Sequence, residues 1–136
     1  MTHHELRYLL QKMFPDSVYG QDYFTGHYLD KDGNGAEQVG EAFILKWKLP
    51  APQPSEAQLQ AWWGGHQKEV LATMKADHMR WQRSTKLAEA DILVEKAKDR
   101  GDAEAEQKAR TYRQALRDVT LQPGFPDTFD WPEIPT

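Results

Sequence analysis

Three prolines at alternate positions, Pro50, Pro52 and Pro54, divide the chain more firmly than any other feature. Each fixes φ, lacks a backbone donor and pushes its predecessor out of the helical region, so neither a helix nor a paired strand can run through residues 50–54. Whatever follows this connector must begin a new element. Ser55 and Gln58 supply that beginning, because their spacing lets side chains and orphan backbone donors satisfy each other at a helix start.

Upstream, Thr2 and Glu5 have the same capping-box spacing, and Leu6, Leu9, Leu10 and Met13 recur at three- and four-residue steps up to Pro15. A first helix is expected over 2–13. Residues 21–29 are aromatic-rich and favour a strand in which Phe24 and Tyr28 share a face. Beyond the turn-forming Asp32-Gly33-Asn34-Gly35, Phe43, Leu45, Trp47 and Leu49 alternate with Ile44, Lys46 and Lys48. The expected structure is a β-hairpin with a long connection.

Downstream, Leu59, Trp62 and Trp63 lie on one side of a short helix that Gly64-Gly65 is expected to interrupt, with the tryptophans packed back on the hairpin. Val70, Met74, His78, Trp81, Thr85, Ala88 and Ile92 then follow a four-three alternation, the seam of a long helix in coiled-coil-like pairing. Its polar His78 and Thr85 make the seam weak and leave room for self-association. Gly101 reads as a stop and Asp102 as an N-cap, after which Ala105, Ala109, Tyr112, Leu116 and Val119 repeat the pattern. An antiparallel helical hairpin is expected. Four prolines keep 122–136 extended, although Phe125, Phe129, Trp131 and Ile134 make that tail apolar. The fold class is therefore α+β: a head over 1–65, a helical hairpin over 66–121 and an extended tail over 122–136.

Twenty-one acidic against 17 basic residues, with no basic stripe, argue against nucleic acid as a partner. Absence of cysteine removes disulfides, thiolate metal sites and a cysteine nucleophile, and is compatible with the cytoplasm. The N-terminal residues lack the pattern of a signal peptide, and no apolar run reaches the length of a membrane span, so a soluble protein without a membrane partner is expected.

Asp30, Asp32, Asn34, Gly35 and Glu41 match the spacing of a calcium loop. Against that reading, Glu37 replaces the usual apolar residue, glycines weaken any entering helix, and the exit alternates like a strand. The turn reading is preferred, with a calcium-responsive module as the rival. Neither His66 nor His78 has a partner at ligating helical spacing, and His3-His4 reads as exposed, so no metal centre is expected. Glu95, Asp99, Asp102, Glu104 and Glu106 are interleaved with Lys96, Lys98, Arg100 and Lys108 as on a solvated helix, and no phosphate loop or nucleophile elbow occurs. No catalytic residue and no cofactor are assigned. Aromatic side chains remain as the resource for recognition. Trp47, Trp62 and Trp63 are assigned to the core, and Phe24, Tyr28, Phe125, Phe129 and Trp131 are the candidates for contact with a partner. The tail can clamp its own helices or bind a partner in extended form.

Two stretches resemble known families. Phe14-Pro15-Asp16-Ser17-Val18, Asp32-Gly33-Asn34-Gly35, Lys46-Trp47 and Ala51-Pro52-Gln53-Pro54-Ser55-Glu56-Ala57-Gln58-Leu59 with Trp62-Trp63 resemble the small XkdW-like proteins of phage-type tails. Tyr112-Arg113-Gln114-Ala115-Leu116-Arg117-Asp118-Val119, Gln122-Pro123-Gly124-Phe125-Pro126-Asp127 and Trp131-Pro132 resemble the C-terminal signature of the phage tail assembly chaperone family. The first resemblance implies a helix followed by a β-hairpin. The second implies a protein that assists a tail-fibre protein to fold or trimerise in the host cytoplasm, with no catalytic residues. Its rival is a structural component retained in the particle.

Overall fold

The computed structural model describes residues 1–31 and 37–136. Its elements are α1 (His3–Met13), β1 (Tyr23–Leu29), β2 (Gln38–Trp47), α2 (Glu56–Asp99) and α3 (Ala103–Asp118), with a 3-10 turn at Val119–Leu121. The architecture is α+β, as expected. The chain forms two compact units, Met1–Met74 and Lys75–Thr136.

In the first unit the Thr2–Glu5 capping box is complete: Glu5 N donates to the Thr2 hydroxyl at 3.2 Å and Thr2 N donates to the Glu5 carboxylate at 2.6 Å. The helix it starts buries Leu6, Leu9 and Leu10 completely. Leu6 and Leu10 meet Tyr23, Ala42 and Leu59 in one core, ringed by Phe14, Ile44, Trp47 and Trp62. Trp62 thus packs back as expected, whereas Trp63 is half-buried outside that cluster.

The strands pair antiparallel, Tyr23 opposite Trp47 and Phe24 opposite Lys46. One expectation is corrected here. Phe43, Leu45 and Trp47 do not share a face: Ile44 and Trp47 line the core, and Leu45 is 67% exposed. The register explains it, because Thr25 pairs with Ile44 directly after Phe24 pairs with Lys46, leaving Leu45 as the extra residue of a bulge. One inserted residue exchanges the faces of all that follow. Ala42 follows Ile44 into the core by alternation, and its N–H donates to the Met1 carbonyl at 3.2 Å; a second irregularity lies beyond it, near Gly40 at φ +72°.

The proline connector is tied down by Trp47, whose indole N–H donates to Ala51 O at 2.6 Å. Ser55 and Gln58 then form the expected reciprocal cap, at 3.0 and 3.2 Å. A second correction follows: Gly64-Gly65 does not interrupt the helix, which continues for 44 residues. Leu59 and Trp62 before the pair and the buried Val70 after it pack against the unit and hold the helix through it. Both glycines are exposed, and a Cβ at either would meet nothing within 4 Å. Gly64→Ala and Gly65→Ala are each expected to stabilise by about 0.5–1 kcal/mol, read as a rise in Tm by circular dichroism.

In the second unit α2 ends in a Schellman turn, with Asp102 N donating to Ala97 O at 3.0 Å and Gly101 N to Lys98 O at 2.9 Å. Gly101 has φ +66°. Asp102 also caps α3, its carboxylate accepting from Ala105 N at 3.0 Å. The helices run back to back, with Ala90, Tyr112 and Leu116 at the centre and Leu87, Leu93 and Trp131 packed around them. A third correction concerns this seam. The α2 residues that face α3 are Leu87, Ala90, Leu93, Val94 and Ala97, while Trp81 and Ile92 of the expected seam are 66% and 54% exposed. The helix carries two apolar stripes on opposite sides, and α3 packs on the one whose small Ala90 and Ala97 admit Tyr112 and Ala109.

Candidate functional site

The hairpin presents one aromatic face to solvent. Alternation along β1 sends Tyr23 and Thr25 inward and puts Phe24, Gly26 and Tyr28 on the other side. Gly26 is the key to that side: Phe43, its cross-strand partner, lays its ring over it so closely that a Cβ there would stand 3.1 Å from the ring edge. The same ring lies 5.0 Å from that of Tyr28, which is 70% exposed. The Lys48 ammonium sits 5.6 Å from the centre of the Phe24 ring, adding positive charge to the face. Tyr28 is thus packed against Phe43, a residue that sequence reasoning assigned to another set. A glycine within an aromatic strand was the available signal of a close approach.

The other face meets a histidine corner. His3, expected to be exposed, is half-buried: its Nε2 lies 3.2 Å from Thr25 O, and its ring 5.0 Å from that of His27. Burial lowers its pKa below the usual 6.5; the Thr25 carbonyl opposes this, and His27, His4 and Arg7 add to it. Below about pH 6.5 the unfolded chain takes up a proton that the folded chain resists, so stability is lost as pH falls from there toward the lowered value. Between about pH 7.5 and 5.5 the wild-type Tm is expected to fall more steeply than that of His3→Gln, which can still donate to Thr25 O.

Of the calcium-loop residues, Asp32, Asn34 and Gly35 lie outside the described residues. Asp30 follows β1, with its N–H donating to Glu37 O at 3.1 Å. The Glu41 carboxylate contacts the Met1 ammonium and accepts from Gln60 at 3.2 Å, and the ammonium lowers its pKa. Among the described residues, no three His, Asp or Glu side chains are grouped to hold a metal.

The tail forms a second aromatic group. The Phe125 and Phe129 rings are 5.2 Å apart and those of Phe129 and Trp131 4.9 Å, with Trp131 set against Ala90, Tyr112 and Leu116. Cations from α2 cover this ladder, Lys86 at 5.2 Å from the Trp131 ring centre and Arg80 at 6.0 Å from that of Phe125. The Gln122 amide brackets Asp130, donating to its carbonyl at 2.8 Å and accepting from its N–H at 3.0 Å. Lys75 pairs with Asp127 at 2.5 Å. The three tail aromatics are half-buried against their own helices. Among the described residues, no helix is long and apolar enough to cross a membrane.

Residues 76–136 match the family described as phage tail assembly chaperone protein. Residues 6–71 match the family described as XkdW protein. The phage-like element PBSX protein XkdW of Bacillus subtilis (strain 168) is 38% identical over 55 residues, 40% of this chain. That match covers 41% of the relative's own length. No solved structure matches the chain significantly. Each family match falls within one compact unit.

Proposed function

We propose that this protein is a tail-fibre assembly chaperone, binding the fibre protein in the host cytoplasm and assisting its folding or trimerisation without turning over a substrate. The observation that carries the reading is the outward hairpin face of Phe24, Phe43 and Tyr28 with Leu45, an apolar surface on a packed core in a chain whose second unit matches the tail assembly chaperone family. Fibre chains rich in long-range β pairing fold slowly and expose sticky strands meanwhile, and such a face can cover them. Phe125, Phe129 and Trp131 would add a second contact through their uncovered edges. Neither family description names a reaction.

The test is co-expression of a tail-fibre protein with this chain, scoring soluble trimeric fibre. The Tyr28→Ser/Leu45→Ser double variant alters only exposed side chains and is expected to cut the yield of soluble fibre severalfold while leaving its own Tm nearly unchanged. Phe129→Ala reports on the tail in the same assay. Fibre that folds equally well alone would sink the chaperone reading. Stoichiometric recovery of this chain from purified particles would instead establish a retained structural component.

A further inference from the structure

The α2 stripe that α3 leaves uncovered lies wholly in the second unit: His78, Trp81, Thr85, Ala88, Ile92 and Glu95, all exposed. Trp81 and Ile92 expose 66% and 54% of their surface, which is unusual for such large apolar side chains in a helix already packed on its other side. Their four-three spacing is that of a helix paired with another helix. We propose that this stripe pairs antiparallel with the same stripe of a second copy of this chain.

The pattern is complementary to itself. Set antiparallel, Thr85 and Ala88 of one copy meet Ala88 and Thr85 of the other, Trp81 meets Ile92, and His78 meets Glu95. Crossing helices are closest at the crossing point and diverge on either side, so small residues belong at the centre and bulky ones beyond them. That is the order found here. The flanking polar residues agree: Gln82 faces Glu89 and Ser84 faces Asp91, pairs that can hydrogen-bond, and His78 opposite Glu95 places an imidazole against a carboxylate. Like charges meet only at the outer ends, where Lys75, tied to Asp127, faces Lys96. The paired segment is about 27 Å long, short enough that the dimer should dissociate in the micromolar range.

Sedimentation equilibrium of the full chain tests this. The mass is expected to rise with concentration from 15.7 kDa toward twice that value. Trp81→Glu and Ile92→Glu are each expected to weaken the dimer by about thirtyfold or more. Both positions are exposed, so circular dichroism should show the fold retained; should either variant unfold, Ala88→Arg replaces it. The chain has no cysteine, so Thr85→Cys mixed with Ala88→Cys should oxidise mainly to the mixed disulfide. A single-chain mass at every concentration overturns the proposal, as does a dimer indifferent to these variants. Like-with-like disulfides overturn the antiparallel arrangement.

Discussion

Leu116→Ala is expected to cost the second unit about 2–5 kcal/mol, the range for a large-to-small change in a closed core. Leu116 is fully buried, in a cluster with Ala90 and Tyr112 and bordered by Leu87, Leu93 and Trp131. Those neighbours come from α2, α3 and the tail, and the one with least bulk, Ala90, has no atoms to move into the space. The cavity therefore stays open, and its cost adds to the lost transfer energy. Urea denaturation followed by circular dichroism measures the effect. Ile92→Ala is the control: at a concentration where the chain is monomeric, this 54% exposed residue should change stability by less than about 0.5 kcal/mol. If Ile92 proved the costlier of the two, α3 would have to lie on the stripe first read as the seam, and the described packing would be wrong.

That contrast marks where the sequence could be read and where it could not. Capping boxes at Thr2–Glu5 and Ser55–Gln58, the Gly101 stop and the Asp102 cap are bonds between residues a few positions apart, and each stands where its spacing put it. Choosing between the stripe of Trp81 and Ile92 and that of Ala90 and Val94 depends on what α3 offers. Periodicity favoured the larger side chains, while close helix contact favoured the alanines. Likewise, nothing local announces the bulge at Leu45, yet that single extra residue moved Phe43 out to Tyr28 and turned Ile44 into the core. The continuity of α2 through Gly64-Gly65 has the same origin, because a propensity cost of about 1 kcal/mol per glycine is outweighed by the packing of Trp62 and Val70.

The candidate site divides along the same line. Phe24 and Tyr28 on one face followed from strand alternation alone; the Phe43 ring beside Tyr28 did not, since it depends on cross-strand register. In the tail, the aromatic content was plain, and the proline count excluded a helix. Which surface those rings would meet depended on Lys86, Arg80 and Tyr112, between 19 and 45 residues from the rings they meet.

Gly124→Ala is expected to release the tail from its helices. Gly124 has φ +85°, a conformation that costs a residue with a Cβ about 1–2 kcal/mol by itself. Its surroundings add to this, because a Cβ there would collide with the Thr128 hydroxyl and stand 2.6 Å from the Thr128 carbonyl oxygen. The carbonyl belongs to the turn in which Asp127 N and Thr128 N donate to Gly124 O at 2.8 and 2.9 Å, so it cannot move aside without opening that turn. Opening it would separate Phe125 from Phe129 and draw Trp131 away from Tyr112 and Leu116. Limited proteolysis should then cleave Gly124→Ala within 122–136 at least about tenfold faster than wild type. Thr128→Ala removes only the hydroxyl and leaves the carbonyl, so the double variant should remain as sensitive as Gly124→Ala alone. If Thr128→Ala restored resistance, the hydroxyl alone would be the obstacle and the turn would tolerate the backbone change. If Gly124→Ala matched wild type, the tail would be held by its aromatic contacts independently of this turn.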